Sequence, residues 1–146
     1  MLQEKLIQEM KEAMKAGNSE KLGVLRMLIS ALNNKKIEKG KDAVLTADDE
    51  LQVVSREAKK RRESIDIFEK GGRPELAGKE RAELAIVEAY LPKQMSREEV
   101  AAEVERVLAG IADKSNAGLV MKAVMAEMKG KADGKTVSEI VKQKLG

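Results

Sequence analysis

Apolar residues recur at spacings of three and four along nearly the whole chain. The clearest example is the series Leu22, Leu25, Leu28 and Leu32, and similar stripes are present in six other segments. This spacing places apolar side chains on one face of an α-helix, and no segment shows the strict alternation of a half-buried strand. The pattern predicts an all-α protein with four helices in residues 1–92 and three in residues 93–146.

Capping and turn residues predict where these helices begin and end. Gly17 ends the first helix, and Asn18 or Ser19 caps the second, which gives way to a polar loop at "KKIEKGKD". Thr46 begins the third helix, which the two glycines at 71 and 72 end. Pro74 opens the fourth helix and Pro92 closes it.

The residues after Pro92 carry a complete helix-start signal. Ser96 and Glu99 have the spacing of a capping box, and Met95 can pack on Val100 across the first turn. This signal places a structural boundary after residue 92. We therefore predict an N-terminal four-helix bundle over residues 1–92 and a C-terminal three-helix bundle over residues 93–146.

The composition indicates a folded chain whose core contains few aromatic side chains. Hydrophobic residues make up 42% and charged residues 36%, with one Phe, one Tyr and no Trp among 146 residues. Methionine side chains fill irregular gaps in cores. We therefore predict core positions for Met10, Met14 and Met128.

Several classes of chemistry are excluded or unsupported. The chain contains no Cys and no His, which rules out disulfides, thiolate nucleophiles and a histidine base. The densest acidic cluster, "TADDE" at residues 46–50, is explained by helix capping, so we predict no catalytic residues, metal ligands or cofactor. No apolar run reaches the ~20 residues of a membrane span, and the N-terminus lacks the apolar block of a signal peptide. These features predict a cytoplasmic protein with no membrane partner.

The segment "KGKADGKTV", residues 129–137, is similar to a nucleotide-binding loop but fails both tests for one. Only three residues separate Gly130 from Gly134, where the P-loop has four, and the preceding segment is helical rather than a strand. The simplest interpretation is a turn in which Gly130 ends one helix and Asp133 caps the next. A turn alone leaves the lysines unexplained, because cations oppose the dipole at a helix N-terminus. Lysines around a helix start are also suited to contact phosphate groups.

A second basic segment, "REAKKRR", spans residues 56–62 and contains five bases and one acid. A charge run on a helix is usually a solvated face, and nearby acids at helical spacing supply partners. The alternative is a nucleic-acid contact formed by Arg56, Lys59, Lys60 and Arg62. The net charge of +3 is too small to decide between them.

Three segments together resemble the YqeY family. They are "LGVLRMLISALNNKKIE" near the start, "REAKKRRESIDIFEKGGRPELAGKERAELAIVEAYLPKQMS" in the middle and "GLVMKAVMAEMKGKADGKTVSEIVKQKL" at the end. The resemblance covers essentially the whole chain. That family is similar in turn to the C-terminal tail of the GatB subunit of the glutamine-dependent aspartyl/glutamyl-tRNA amidotransferase.

The resemblance implies a fold, a partner and a set of contact residues. It implies a four-helix and a three-helix bundle, and a role in engaging tRNA. Carried over to this chain, it implies tRNA contacts for the residues Lys122, Lys129, Gly130, Lys131, Gly134 and Lys135. The carbon–nitrogen ligase chemistry of the amidotransferase does not carry over, because its ATP- and magnesium-using centre lies in a domain that this sequence does not contain.

Three functions remain open from the sequence. The first is a non-catalytic tRNA-binding module that acts beside aminoacyl-tRNA synthetase components. The second is an accessory to glutamine-dependent tRNA amidation that works in a complex with amidotransferase subunits. The third is a helical protein-interaction adaptor, which the nearly balanced total charge favours.

Overall fold

The computed structural model describes residues 1–146 and contains seven α-helices and no strands. The all-α prediction is therefore confirmed. The helices are α1 (Leu2–Ala16), α2 (Ser19–Lys39), α3 (Ala47–Lys70), α4 (Pro74–Glu88), α5 (Arg97–Ala109), α6 (Ala117–Met128) and α7 (Gly134–Leu145). None of the seven combines the length and the apolar composition needed to cross a membrane.

The chain divides into two compact units, Met1–Leu91 and Pro92–Gly146. The first unit contains α1 to α4, and the second contains α5 to α7. Each unit has its own hydrophobic cluster. The buried members in the first are Leu6, Ala13, Val24, Leu25, Leu28, Leu32, Leu45, Val53, Val54, Ala58 and Val87. Those in the second are Val100, Val104, Leu108, Val120, Val124, Met128, Val137, Ile140 and Val141.

The methionine predictions have mixed outcomes. Met128 is buried and Met10 is half-buried against the first cluster, as predicted. Met14 is 52% exposed, so its predicted core position is wrong. The position in α1 that faces the core is taken by its neighbour Ala13. Ala13 and Met14 are adjacent in the sequence, and both are compatible with the apolar face of α1. The smaller side chain, that of Ala13, is the one that packs into the core.

The junction between α1 and α2 follows the capping signals of the sequence. Gly17 adopts the left-handed conformation, with φ of 71°, and its N–H bonds the carbonyl of Met14 at 3.3 Å. Asn18, rather than Ser19, is the N-cap of α2, and its Oδ1 accepts a hydrogen bond from the Lys21 N–H at 3.1 Å. A non-glycine residue at position 17 would be strained in this turn.

The junction between α2 and α3 is shorter than predicted. The loop expected at residues 35–42 begins only at Gly40, because α2 continues through Lys39. Charged and polar residues in the last turns of α2 form an exposed helical face rather than a loop. Thr46 caps α3, and a complete capping box joins the Thr46 and Asp49 side chains to each other's backbone N–H groups.

Lys39 and Asp49 form an ion pair across this junction. The Lys39 Nζ lies 2.5 Å from the Asp49 Oδ2. The hydrogen bond from Lys39, followed by the hydrogen bond from the Thr46 backbone, lowers the pKa of Asp49 to about 2. The end of α2 and the start of α3 are therefore joined by a carboxylate that remains charged in acid.

The inner face of α3 contains charged residues that the apolar pattern did not predict. The apolar residues Val54, Ala58 and Ile65 are buried, but so are Glu50, Glu57 and Arg61. The Glu50 Oε2 accepts a hydrogen bond from the Leu2 N–H at 2.8 Å. Glu50 therefore caps the first turn of α1, where backbone N–H groups have no partner within the helix.

Helix α4 ends four residues before Pro92, earlier than predicted. Its last residue is Glu88, and the carbonyls of Val87 and Glu88 accept hydrogen bonds from the Tyr90 and Leu91 N–H groups at 3.0 Å. The side chain of Tyr90 packs on the first cluster, and its hydroxyl donates a hydrogen bond to Glu9 of α1. Burial and this carboxylate raise the pKa of Tyr90 above its ordinary range.

The second unit begins with the predicted capping box. The Ser96 Oγ accepts a hydrogen bond from the Glu99 N–H at 3.1 Å, and the Glu99 carboxylate accepts one from the Ser96 N–H at 3.4 Å. Asn116 caps α6 by accepting a hydrogen bond from the Leu119 N–H. The predicted capping box at the start of α5 is therefore confirmed.

Candidate nucleic-acid interface

The lysine-bearing segment forms the connection between α6 and α7. Helix α6 ends at Met128, and Gly130 takes the left-handed conformation with φ of 74°. Asp133 is the N-cap of α7, and its Oδ1 accepts a hydrogen bond from the Lys135 N–H at 3.4 Å. The predicted turn, with Gly130 ending one helix and Asp133 capping the next, is confirmed. We call residues 129–135 the lysine loop.

Two residues that precede α5 hold the lysine loop in place. The Gln94 side-chain amide donates hydrogen bonds to the carbonyls of Pro92 and Gly130, each at 2.8 Å. The Met95 N–H donates a hydrogen bond to the Lys131 carbonyl, also at 2.8 Å. The backbone of the lysine loop is thus tied at two consecutive carbonyls to a segment 36 residues earlier in the chain.

The lysine residues of this region are exposed to solvent. Lys122 on α6 is exposed, as are Lys129, Lys131 and Lys135 in the lysine loop. The ammonium group of Lys131 lies near enough to Glu103 of α5 to contribute to the lowered pKa of that carboxyl, after the larger contribution of the hydrogen bond from Arg106. The lysine loop therefore presents a positive surface on a fixed backbone, with a carboxylate beside it.

The helix start itself is not an open phosphate seat. Sequence reasoning suggested that the backbone N–H groups at the start of α7 could receive a phosphate. Asp133 supplies a carboxylate there instead, and it already accepts a hydrogen bond from the Lys135 N–H. A phosphate would meet a like charge at this cap, so the start of α7 is not suited to bind an isolated anion.

The second basic segment divides between a solvated face and a buried one. Arg56, Lys59 and Lys60 lie exposed on one side of α3. Arg62 is half-buried and pairs with Glu88 of α4 at 3.6 Å, and Arg61 is buried. The three exposed residues belong to the first unit and the lysine loop belongs to the second, so the two basic surfaces lie on different units.

Gln94 and Met95 are structural residues that support the lysine loop, and the sequence analysis did not identify them in this role. Nothing in the spacing of Gln94 distinguishes it from any exposed glutamine before a helix. Its role depends on the fold, which brings the Gly130 carbonyl within hydrogen-bond distance of the Gln94 side chain. Met95 was expected only to pack on Val100, and its backbone N–H is the group that reaches Lys131.

Comparison with known protein families shows which family the chain belongs to. A family model described as "Yqey-like protein" matches residues 3–145. The chain belongs to the YqeY family. The resemblance inferred from the three sequence segments is confirmed, and the matched region includes the lysine loop and both units.

Curated relatives of this YqeY-family chain include fungal proteins named "Altered inheritance of mitochondria protein 41, mitochondrial". The protein of Eremothecium gossypii is 35% identical over 105 residues, which cover 70% of this chain and 57% of the relative. That of Kluyveromyces lactis is 34% identical over 135 residues, or 90% of this chain and 69% of the relative. That of Pyrenophora tritici-repentis is 28% identical over 144 residues, or 94% and 77%. The chain thus spans less than two thirds of the Eremothecium protein.

These names contradict the predicted cytoplasmic location. The relatives are described as mitochondrial proteins, so the prediction of a cytoplasmic protein is wrong. It rested on the lack of a membrane-spanning apolar run and on the lack of a signal peptide's apolar block among the first residues. Those residues form α1 and contribute Leu6 to a core, and a helix in a core carries no information about the compartment in which the protein works.

Proposed function

We propose that this YqeY-family protein is a non-catalytic tRNA-binding module, in which the lysine loop contacts phosphates of the RNA backbone. The observation that carries the proposal is the lysine loop itself. Exposed lysines stand on a backbone that Gln94 and Met95 hold in one conformation. A fixed backbone lowers the entropy lost when the lysines bind, because the loop is already ordered.

The shape of the site favours a polyanion over a single phosphate. Asp133 closes the helix start to an isolated anion, while Lys129, Lys131 and Lys135 can each meet a different phosphate along a strand. Phosphate contacts of this kind position an RNA without reading its sequence. The chain has one Tyr and no Trp, so it offers little aromatic surface on which bases could stack.

The same proposal assigns RNA binding mainly to one of the two units. The four-helix unit and the three-helix unit are separate bundles, and the second is the RNA-binding one. The likeness of the lysine loop to the tail of the amidotransferase GatB subunit supports this assignment. Arg56, Lys59 and Lys60 on α3 provide a second, weaker contact, because Lys60 already pairs with Glu57 at 3.2 Å.

Salt-dependent binding to tRNA tests the lysine loop. Wild type is compared with the triple variant Lys129→Ala, Lys131→Ala, Lys135→Ala over a salt series. Each lost phosphate contact removes about one unit of the slope of log affinity against log salt, so the triple variant loses about two to three units. The measurement is fluorescence anisotropy of labelled tRNA, and circular dichroism verifies that the variant folds.

A charge-matched control separates the lysine loop from general positive charge. The variant Lys11→Ala, Lys15→Ala, Lys41→Ala removes three exposed cations from the first unit. It is expected to keep most of the affinity and slope of wild type. If both triple variants weaken binding equally, or if wild type binds no better than an unrelated basic protein, the lysine loop is a turn only. Millimolar inorganic phosphate is expected not to compete.

A further inference from the structure

A surface cavity of about 370 Å³ lies between α2, α3 and α4 in the first unit. Its volume is within the range of small-molecule sites, about 300–1,000 Å³. Polar side chains from all three helices line it, among them Ser30 and Asn34 of α2, Ser64 of α3, and Glu80 of α4. The lysine loop belongs to the other unit, whereas Lys60 of the second contact proposed on α3 also lines this cavity.

A buried arginine with incomplete hydrogen bonding forms the inner wall of the cavity. Arg61 is 4% exposed. Its Nη1 donates to the Glu57 carbonyl at 3.3 Å and to the Glu57 carboxylate at 3.4 Å. Its Nη2 donates to the Met27 sulfur at 3.1 Å, which is a weak acceptor, and its Nε has no hydrogen-bond partner.

The unsatisfied part of Arg61 is the edge that binds carboxylates. Nε and Nη2 lie on the same edge of the guanidinium group, and a carboxylate can accept from both at once. The nearest carboxylate, that of Glu83, stands 3.7 Å from Nε, at the distance of an ion pair without a hydrogen bond. A buried donor without an acceptor is costly, so this edge favours an incoming acceptor.

The carboxylates that line the cavity can pair with a cation. Glu57 is already paired with Arg61 and with Lys60, at 3.4 Å and 3.2 Å. Glu80 and Glu83 of α4 are the other lining acids, and Glu83 contacts Arg61 only in the longer ion pair at 3.7 Å. The cavity thus presents hydrogen-bond donors on α3 and carboxylates on α4 across a space of small-molecule size.

We propose that this cavity binds a small zwitterion of the size of a free α-amino acid, with its carboxylate at Arg61 and its ammonium group at Glu80 and Glu83. Such a ligand supplies the acceptor that the Nε edge of Arg61 lacks. Its ammonium group at the same time meets the two glutamates. Ser30, Asn34 and Ser64 line the space left for the ligand's own side chain.

The test is a panel of free L-amino acids at millimolar concentration, with the full chain. Binding of at least one is expected to raise the melting temperature by about 2 °C or more, and to shift the NMR signal of the Arg61 Nε–H. The methyl ester of that amino acid lacks the carboxylate, and its N-acetyl form lacks the ammonium group. Both derivatives are expected to lose the effect.

Two variants localise the site without removing the buried arginine. Glu80→Gln is expected to weaken binding of the selected amino acid about tenfold or more, because a charged hydrogen-bond partner is lost. Glu75→Gln lies on the same helix outside the cavity and is expected to bind as wild type does. The proposal is overturned if no amino acid shifts the Arg61 signal, if either derivative binds as well as its parent, or if Glu80→Gln binds normally. Arg61 would then serve only as a structural ion pair.

Discussion

The two glycines of the lysine loop have different backbone conformations, although both were named as contact residues. Gly130 has φ of 74°, a conformation that costs a side-chain-bearing residue about 1 kcal/mol or more. Gly134 is the first residue of α7 and has an ordinary helical backbone. An added Cβ on Gly134 would meet no atom within 4 Å. The first glycine is required by the turn and the second is not.

Alanine substitutions at these positions are expected to have opposite effects. Gly130→Ala is expected to destabilise the second unit by about 1 kcal/mol, because alanine is strained at positive φ. Gly134→Ala is expected to stabilise it by about 0.5 kcal/mol, because alanine loses less backbone entropy in a helix. Urea unfolding followed by NMR signals of α7 measures both changes. Equal destabilisation by the two variants would contradict the assigned backbone conformations.

Single residues also show where sequence reasoning stops. The periodic pattern correctly placed apolar residues such as Leu25 and Leu28 on a buried face. It could not place Arg61, because a run of five bases predicts an exposed face and gives no sign that one of them points inward. Burial of Arg61 depends on Glu57 in the same helix and on Glu83 in α4, and only the folded chain brings Glu83 near. Polar partners that are far apart in the sequence produce no periodic pattern from which their contact could be predicted.

At the scale of helices, the ion pair between Lys39 and Asp49 makes one junction sensitive to acid. The pKa of Asp49 falls from its ordinary 3.8 to about 2 in the folded chain. A lowered folded-state pKa stabilises the fold above the ordinary value, and this stabilisation is lost as the pH falls from 3.8 towards about 2. The start of α3 is therefore tied down at neutral pH and is released in strong acid.

Replacement of Asp49 tests this pH dependence. Asp49→Asn is expected to lower the stability of the first unit at pH values above the ordinary pKa. The difference in unfolding free energy between wild type and the variant should shrink as the pH falls from 3.8 towards about 2. The neighbouring variant Asp48→Asn removes a first-turn carboxylate away from the Lys39 contact, and should cause a smaller loss. Urea unfolding across the pH series measures both, and a difference that grew in acid would contradict the ion pair.

Helix starts were predicted better than helix ends. Thr46, Ser96 and Asp133 were all identified as helix starts or caps, because an N-cap side chain makes a short-range contact that the sequence itself encodes. The ends of α2 and α4 were misplaced by several residues. Charged residues continue α2 to Lys39, and α4 stops at Glu88 before the proline that was expected to end it. Where a helix ends depends on which neighbours its last turn can pack against.

At the scale of the whole molecule, each hydrophobic cluster consists of residues from one unit only. A unit that contains its whole core within its own chain segment has the contacts needed to fold alone. The second unit spans only residues 92–146, and domains of this size bury a smaller share of their surface than larger ones. The two units are therefore expected to differ in stability.

Separate expression of residues 1–91 and 92–146 tests the units as domains. Both fragments are expected to be helical and to unfold cooperatively, with a stability of only about 3–5 kcal/mol for the shorter one. Circular dichroism measures the thermal transitions. Amide NMR spectra then compare core residues such as Val54 and Val124 in each fragment with the full chain. A fragment that stayed unstructured would contradict the assignment of that unit as a domain.

The position of Tyr90 has an optical consequence for any study of this protein. It is the only tyrosine in a chain without tryptophan. It lies near the end of the first unit, where its hydroxyl donates a hydrogen bond to Glu9 of α1. Intrinsic fluorescence therefore follows the first unit alone, and the second unit is silent in that signal. Because burial and the Glu9 carboxylate raise the pKa of Tyr90, tyrosinate absorbance is expected to appear at higher pH in the folded chain than in the unfolded chain. A single native side chain thus serves as a built-in reporter of one half of the molecule.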